Sequence, residues 1–219
     1  MIDYPGEICA IVFTQGCNFR CPYCHNPELV NPEMYAECLT EETIFSFLAK
    51  RRGKIDAVAI TGGEPTIQNS LIDFVTRVRK TGYLIKVDTN GSHPEVIEKL
   101  ISMKLLDYIA MDIKAPAGKF KNLTKSDISY HKITQTIELI MKSGIPYEFR
   151  TTVLKRLLDE SDIVNIAHSI KNARLYILQQ FIPSKVLDRE LMHYESYSRV
   201  ELESLRKKIT KSVSNILIR

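Results

Sequence analysis

Ala57-Val58-Ala59-Ile60-Thr61 runs without a break into Gly62-Gly63-Glu64-Pro65. A helical pattern then opens at Asn69, with Leu71, Phe74, Val75 and Val78 apolar and Gly82 after it. The first run is short and free of charge, as in a strand buried on both faces. The glycine pair makes a turn, and Gly82 stops the helix. This is one complete strand–loop–helix unit, and the chain repeats it.

Strands are expected at 8–14, 57–61, 84–88, 108–113, 146–153 and 175–181. Between them lie further amphipathic stripes. Thr40 can cap a helix carrying Ile44, Phe47 and Leu48 and closed by Gly53. Pro94 suits the first turn of a helix carrying Val96, Ile97, Leu100 and Ile101. Ile133, Ile137, Ile140 and Met141 form another stripe, Ile163, Ile166, Ala167 and Ile170 the next, and a last helix covers about 196–210 before a short apolar tail. Six strand–helix repeats imply an α/β fold with a parallel sheet joined by right-handed crossovers. Eight would close a full barrel, and six would leave it open on one side. A flat doubly wound sheet satisfies the same periodicity. In either architecture the loops leaving the C-terminal strand ends carry the chemistry. With no linker and no low-complexity stretch, 1–219 reads as a single domain, its core at about 7–183 and a C-terminal helix and tail at 184–219.

The 219 residues are 44% hydrophobic, enough for a sizeable core. A net charge of +4 spread along the chain gives no nucleic-acid face. No run approaches the roughly 20 apolar residues of a membrane span. The start, Met1-Ile2-Asp3-Tyr4-Pro5-Gly6, lacks the regions of a signal peptide, so a cytoplasmic location with reduced thiols is expected. Of the five cysteines three fall within eight residues, a poor disulfide framework and a good metal site.

Those three lie in Gly16-Cys17-Asn18-Phe19-Arg20-Cys21-Pro22-Tyr23-Cys24-His25-Asn26-Pro27, directly after the first strand. Three thiolates spaced C-x3-C-x2-C can hold a four-iron cubane from one loop and leave the fourth iron open. A zinc site completed by His25 or Cys38 is the alternative, although no second C-x2-C knuckle is present. A thioredoxin-like pair at Cys21 and Cys24 is another. Cys9 and Cys38 read as small hydrophobes, and His131, His168 and His193 have no evident partner.

The C-x3-C-x-aromatic-C pattern, with Tyr23 in the aromatic slot, resembles the signature of the radical S-adenosylmethionine (SAM) superfamily. The resemblance implies a partial (βα)6 barrel and one 4Fe-4S cluster on Cys17, Cys21 and Cys24. It also implies that S-adenosyl-L-methionine chelates the open iron, so that reductive cleavage gives methionine and a 5′-deoxyadenosyl radical. Gly62, Gly63 and Glu64 would then hold the cofactor's amino group. Glycine permits close backbone approach, and a carboxylate suits an ammonium.

Asp88-Thr89-Asn90-Gly91 ends the third strand and Met111-Asp112-Ile113-Lys114 the fourth. Asn-Gly alone reads as a hairpin turn, but Pro94 and a helical pattern follow it. Both segments are similar to those of the glycyl-radical-activating branch, which implies that Asp88, Thr89 and Asp112 help bind a monovalent cation beside the cofactor carboxylate. Lys114 shares a side with Asp112. Glu148, Arg150 and Thr152 alternate on the fifth strand. The resemblance places Arg150 near the cofactor. Gln179 and Gln180 sit on the sixth strand, where an uncharged amide could reach the adenosine.

Within that branch, Asp3-Tyr4-Pro5-Gly6, the stretch 13–29, Met111-Asp112-Ile113-Lys114-Ala115-Pro116, Tyr147-Glu148-Phe149-Arg150-Thr151-Thr152-Val153 and Leu178-Gln179-Gln180-Phe181 resemble anaerobic ribonucleoside-triphosphate reductase-activating proteins. This implies transfer of a radical to a glycine of a partner enzyme, anaerobic ribonucleotide reductase, with reduced flavodoxin or ferredoxin as electron donor. Residues 25–56 contain only Cys38, so no second cluster is expected. The tail after Pro183 is expected to contribute little. The alternatives are a radical SAM enzyme acting on a small molecule, as in deazaguanine synthesis, an activase for pyruvate formate-lyase, and a non-enzymatic zinc module.

Overall fold

A computed structural model describes residues 3–219; Met1 and Ile2, at the head of the N-terminal stretch read above, lie outside the described residues. Seven strands, β1 (Cys9–Thr14), β2 (Ala57–Gly62), β3 (Leu84–Thr89), β4 (Tyr108–Asp112), β5 (Tyr147–Val153), β6 (Tyr176–Gln180) and β7 (Ile216–Ile218), form one sheet. All neighbours are parallel and follow chain order from β1 to β7. A doubly wound sheet reverses its strand order partway. This one does not, and its helices pack on one face, so the open-barrel arrangement holds. The sheet keeps two free edges, at β1 and β7.

The helices are α1 (Pro27–Val30), α2 (Glu41–Lys50), α3 (Leu71–Lys80), α4 (Pro94–Ser102), α5 (Ala117–Thr124), α6 (Tyr130–Lys142), α7 (Glu160–Ser169) and α8 (Arg199–Ile209). Side chains alternate across each strand, and one set faces these helices. Val58, Ile60, Ile85, Val87, Ile109, Met111, Phe149 and Leu178 pack with Leu48, Val75, Val78, Ile97, Leu100, Ile137, Ile140, Ile163 and Ile166 in a single core. Burying each such side chain stabilises the fold by about 1.5–3 kcal/mol. The helix ends follow local chemistry. Thr40 accepts from the Thr43 amide at the head of α2, and reciprocal capping boxes join Asp159 to Asp162 and Ser198 to Glu201. The start of α3 differs from expectation. Its cap position is Ser70, with no side-chain bond, so the apolar face fixes this helix without a cap.

The opposite set of side chains faces the concave interior. There the register puts Lys86 beside Tyr108, Asp88 beside Ala110, Asp112 beside Arg150, and Thr152 beside Gln179. Its lower end is filled by a second small cluster, Tyr4, Ala57 and Tyr108 with Cys9 and Leu84 packed against it. Cys9 is thus the small hydrophobe expected, and burial pushes its thiol up. Near the upper end the interior stays open. Phe13 on one edge strand is 55% exposed and Leu217 on the other 42%.

Two elements depart from expectation. The tail read as a short apolar stretch contains β7, which extends the ladder of β6 and makes the strands seven rather than six. Three residues are too few to show a period. α5 is a two-turn helix that buries only Phe120, Leu123 and Thr124, too short a stripe to stand out. No helix among the described residues is long and apolar enough to cross a membrane.

Candidate active site at the upper strand ends

The cysteine loop leaves β1 through Gly16, whose φ of +106° suits glycine and whose amide donates to the Leu29 carbonyl at 2.8 Å. Cys21 is buried, Cys17 and Cys24 are half-buried, and none forms a disulfide. Burial pushes the Cys17 thiol up to about 11 and that of Cys21 up to about 12, and the nearby sulfurs of the loop add to the rise. Ionising these thiols needs a compensating positive centre, which iron would supply. The Phe19 amide donates to Cys17 Sγ at 3.4 Å and Asn90 Nδ2 lies 4.0 Å from it, the N–H···S contacts that tune cluster ligands.

Among the described residues no three His, Cys, Asp or Glu side chains converge on a single ion. Three free thiols on one loop are the donor set of a cubane with one iron left open. Cys38 is exposed, and His25 Nε2 pairs with the Ile182 carbonyl at 3.0 Å. The donor set fits the cluster.

Besides the β2 loop, four parts of the chain hold this loop. Arg20 turns back so that Nη1 donates to the Cys17 and Phe19 carbonyls at 2.6 and 2.9 Å, while its amide donates to Thr124 of α5 at 2.7 Å. Phe19 packs edge-on to Phe120, centroids 5.5 Å apart. Asn18 donates to Ser92 at 2.8 Å and accepts from Asn90 at 2.9 Å, which ties the loop to the end of β3. Tyr23 is buried, its hydroxyl 3.5 Å from the Lys114 carbonyl. The segment after β6 supplies the fourth contact, contrary to the small role expected of the tail. Leu187 and Asp188 donate to the carbonyls of Cys24 and Pro22 at 2.9 and 2.8 Å, and Lys185 pairs with Glu28 at 2.6 Å. These are backbone bonds from a loop without periodicity, so no sequence pattern marks them.

Gly62 and Gly63 lie against the start of the cysteine loop. A Cβ on Gly62 would come within 2.4 Å of the Thr14 backbone, and one on Gly63 within 1.9 Å of the Gly16 carbonyl oxygen. The Gly63 and Glu64 amides donate to the Thr14 and Gly16 carbonyls, each at 2.8 Å. Glu64 is buried and its oxygens accept from the Thr66 amide and hydroxyl (3.1 and 2.5 Å), the Thr89 hydroxyl (2.7 Å) and the Asn90 amide (2.6 Å). Burial raises its pKa against those donors. The carboxylate therefore locks the β2 and β3 loops together.

Across the interior, Arg150 makes a two-pronged pair with Asp112 (Nε–Oδ1 3.0 Å, Nη2–Oδ2 3.1 Å) and reaches Asp88 with Nη1 at 3.0 Å. Lys86 meets Asp88 at 2.5 Å and Lys114 meets Asp112 at 3.3 Å. Burial would raise the Asp112 carboxyl, but Arg150 and Lys114 outweigh it and hold the group well below the usual range. Burial would likewise lower Lys114, and Asp112 with the thiols of Cys21 and Cys24 raises it instead. Of the trio implied for a monovalent cation, Asp88 and Asp112 meet around Arg150, and the Thr89 side chain points elsewhere. Strand alternation turns Thr89 away from Asp88 to Glu64, and Arg150 bridges the two aspartates. Gln179 shares the face of Thr152 and Arg150, while Gln180 is committed to the Tyr197 carbonyl at 2.7 Å.

A parallel sheet wound in chain order, with three thiols above its first strand and an open charged interior beside them, defines a partial-barrel enzyme. The model of the Radical SAM superfamily matches residues 11–170. A Methanocaldococcus jannaschii protein named as a glycyl-radical enzyme activating enzyme is 38% identical over 100% of this chain and 91% of its own. The pyruvate formate-lyase-activating enzyme of Clostridium pasteurianum is 29% identical over 99% of this chain and 94% of its own. A domain of the pyruvate-formate lyase-activating enzyme from Bacteroides vulgatus shares the fold, with a TM-score of 0.59 and 18% identity over 75% of this chain and 99% of that one. The chain belongs to the radical SAM superfamily and, within it, to the glycyl-radical enzyme activating enzymes. It is an enzyme, and its superfamily uses a 4Fe-4S cluster and S-adenosylmethionine.

Proposed function

We propose that the protein generates a glycyl radical on anaerobic ribonucleoside-triphosphate reductase. The observation that carries the activase reading is the 38% identity along the whole chain, joined to a sheet that stays open between its edge strands β1 and β7. The gap gives a partner loop a lateral route to the interior. The choice of reductase rests on the resemblance of the cysteine loop and of the strand ends at 111–116, 147–153 and 178–181. Pyruvate formate-lyase is the second reading, favoured by the Clostridium pasteurianum relative.

In this reading Cys17, Cys21 and Cys24 hold the cluster, and Tyr23 packs beneath the loop. Reductive cleavage of the bound sulfonium supplies the hydrogen-abstracting radical. Gly62 and Gly63 bring the β2 loop against the cysteine loop, where the cofactor's amino group would bind, while Glu64 and Thr89 fix that loop. Arg150, backed by Asp88 and Asp112, offers its positive charge to the cofactor carboxylate, and Lys114 adds a second charge near the sulfurs. Gln179, on the face shared by Thr152 and Arg150, would offer an uncharged amide to the adenosine. Reduced flavodoxin or ferredoxin supplies the electron, and the chemistry suits the reducing cytoplasm. Mixing the cluster-loaded protein with each candidate enzyme, reductant and S-adenosylmethionine tests this. A glycyl-radical EPR doublet is expected with the reductase; a doublet with pyruvate formate-lyase alone would move the assignment to the second reading.

A further inference from the structure

Glu148 is fully buried on β5, two residues before Arg150 on the same strand face. Arg219 Nη1 and Nη2 lie 3.2 and 3.3 Å from its two oxygens, and the Tyr108 hydroxyl donates to Oε2 at 3.2 Å. Arg150 Nη1 is also within reach of Oε1, at 3.7 Å, but it sits closer to Asp88, at 3.0 Å. One guanidinium nitrogen therefore stands between two carboxylates, and a second arginine pairs with the farther of them. The backbone holds that second arginine in place. The Arg219 amide donates to Leu178 at 3.0 Å and its carbonyl accepts from Gln180 at 2.8 Å, continuing the β6–β7 ladder.

We infer that Arg219 is a positioning residue for Arg150. A buried carboxylate without a partner is strongly destabilised. Without Arg219, the nearest cation to Glu148 is Arg150, and turning to Glu148 would draw its Nη1 off Asp88. The short β7 thus acts on the site across the sheet, with a side chain whose partner lies 71 positions earlier. The inference rests on the proposed role of Arg150 toward the cofactor carboxylate.

The test is calorimetric titration of S-adenosylmethionine into cluster-loaded protein, with iron counted in each variant. Arg219→Gln is expected to weaken binding roughly tenfold, in the range of coupling within one charge network, with iron content unchanged. Removing the competing acid in Glu148→Gln/Arg219→Gln restores the affinity. Arg219→Lys keeps the charge and binds between wild type and Arg219→Gln. Adding Arg219→Gln to Arg150→Gln has no further effect. Unchanged affinity in Arg219→Gln, or a loss that Glu148→Gln does not restore, overturns the inference. If the wild-type protein itself fails to bind S-adenosylmethionine, the proposed function fails and the inference falls with it.

Discussion

Gly63→Ala tests the packing that joins the cysteine loop to the sheet. Gly63 has no positive φ, so any penalty is steric. A Cβ there would sit 1.9 Å from the Gly16 carbonyl oxygen, 2.5 Å from its carbon and 3.1 Å from the Leu29 carbonyl oxygen. All three are backbone atoms, which cannot move by a rotamer change. Relief requires the two loops to separate by more than an ångström, and that breaks the Gly63–Thr14 and Glu64–Gly16 hydrogen bonds. Two such bonds contribute about 1 kcal/mol each, and overpacking adds roughly 1–3 kcal/mol. The expected loss is therefore about 3–5 kcal/mol. At roughly 2–4 °C per kcal/mol for a chain of this size, Tm should fall by about 6–20 °C. Thermal unfolding and iron content after anaerobic reconstitution are the readouts, and both should drop because Gly16 precedes Cys17. Gly118→Ala is the control, since nothing lies within 4 Å of its added methyl. A Gly63→Ala protein within about 0.5 kcal/mol of wild type, the range of neutral surface changes, would refute the reasoning.

Cys21→Ala should abolish cluster assembly and cofactor cleavage while leaving the far-ultraviolet circular dichroism unchanged; retained cleavage would contradict the ligand assignment. Asp112→Ala should weaken S-adenosylmethionine binding with iron content intact, and unchanged affinity would remove Asp112 from the site. The folded pKa of Asp112 is depressed, so its contribution to stability is full above its unfolded value near 4 and is lost as pH falls below it. Asp112→Asn should accordingly flatten the acid side of the stability–pH curve, and parallel curves would sink that reading. Leu187→Pro removes the amide that bonds the Cys24 carbonyl, at a cost of about 1 kcal/mol. Its cluster should bleach faster in air, followed by its visible absorbance, and equal rates would deny the post-β6 segment a sealing role.

The fold was readable wherever a period was long enough to repeat. The Ile- and Val-rich runs gave β1 to β6 within a residue or two, and Thr40 marked the start of α2. β7 was not readable, because three residues carry no period and its partner strand lies far back in the chain. The cysteines were legible from spacing alone. Asn18, Asn90 and Ser92 were not, since Asn90-Gly91 carries the same signal as an ordinary turn and the network forms only when two strand ends meet. Glu148 and Arg150 were recognised as a charged alternation on one strand. The partner that completes them, Arg219, follows from register across the sheet and from nothing local. The resemblance groups Thr89 with Asp88, but neighbours along a strand point to opposite faces, and the Thr89 hydroxyl donates to Glu64 instead.

The central claim is that this loop and interior hold a cofactor pair that performs one-electron cleavage. The direct measurement is product analysis of anaerobically reconstituted, reduced wild-type protein supplied with S-adenosylmethionine. Methionine and 5′-deoxyadenosine are expected in equal amounts, dependent on reductant and absent from Cys21→Ala. A protein carrying about four iron and four sulfide per chain that leaves S-adenosylmethionine intact under reduction would contradict it.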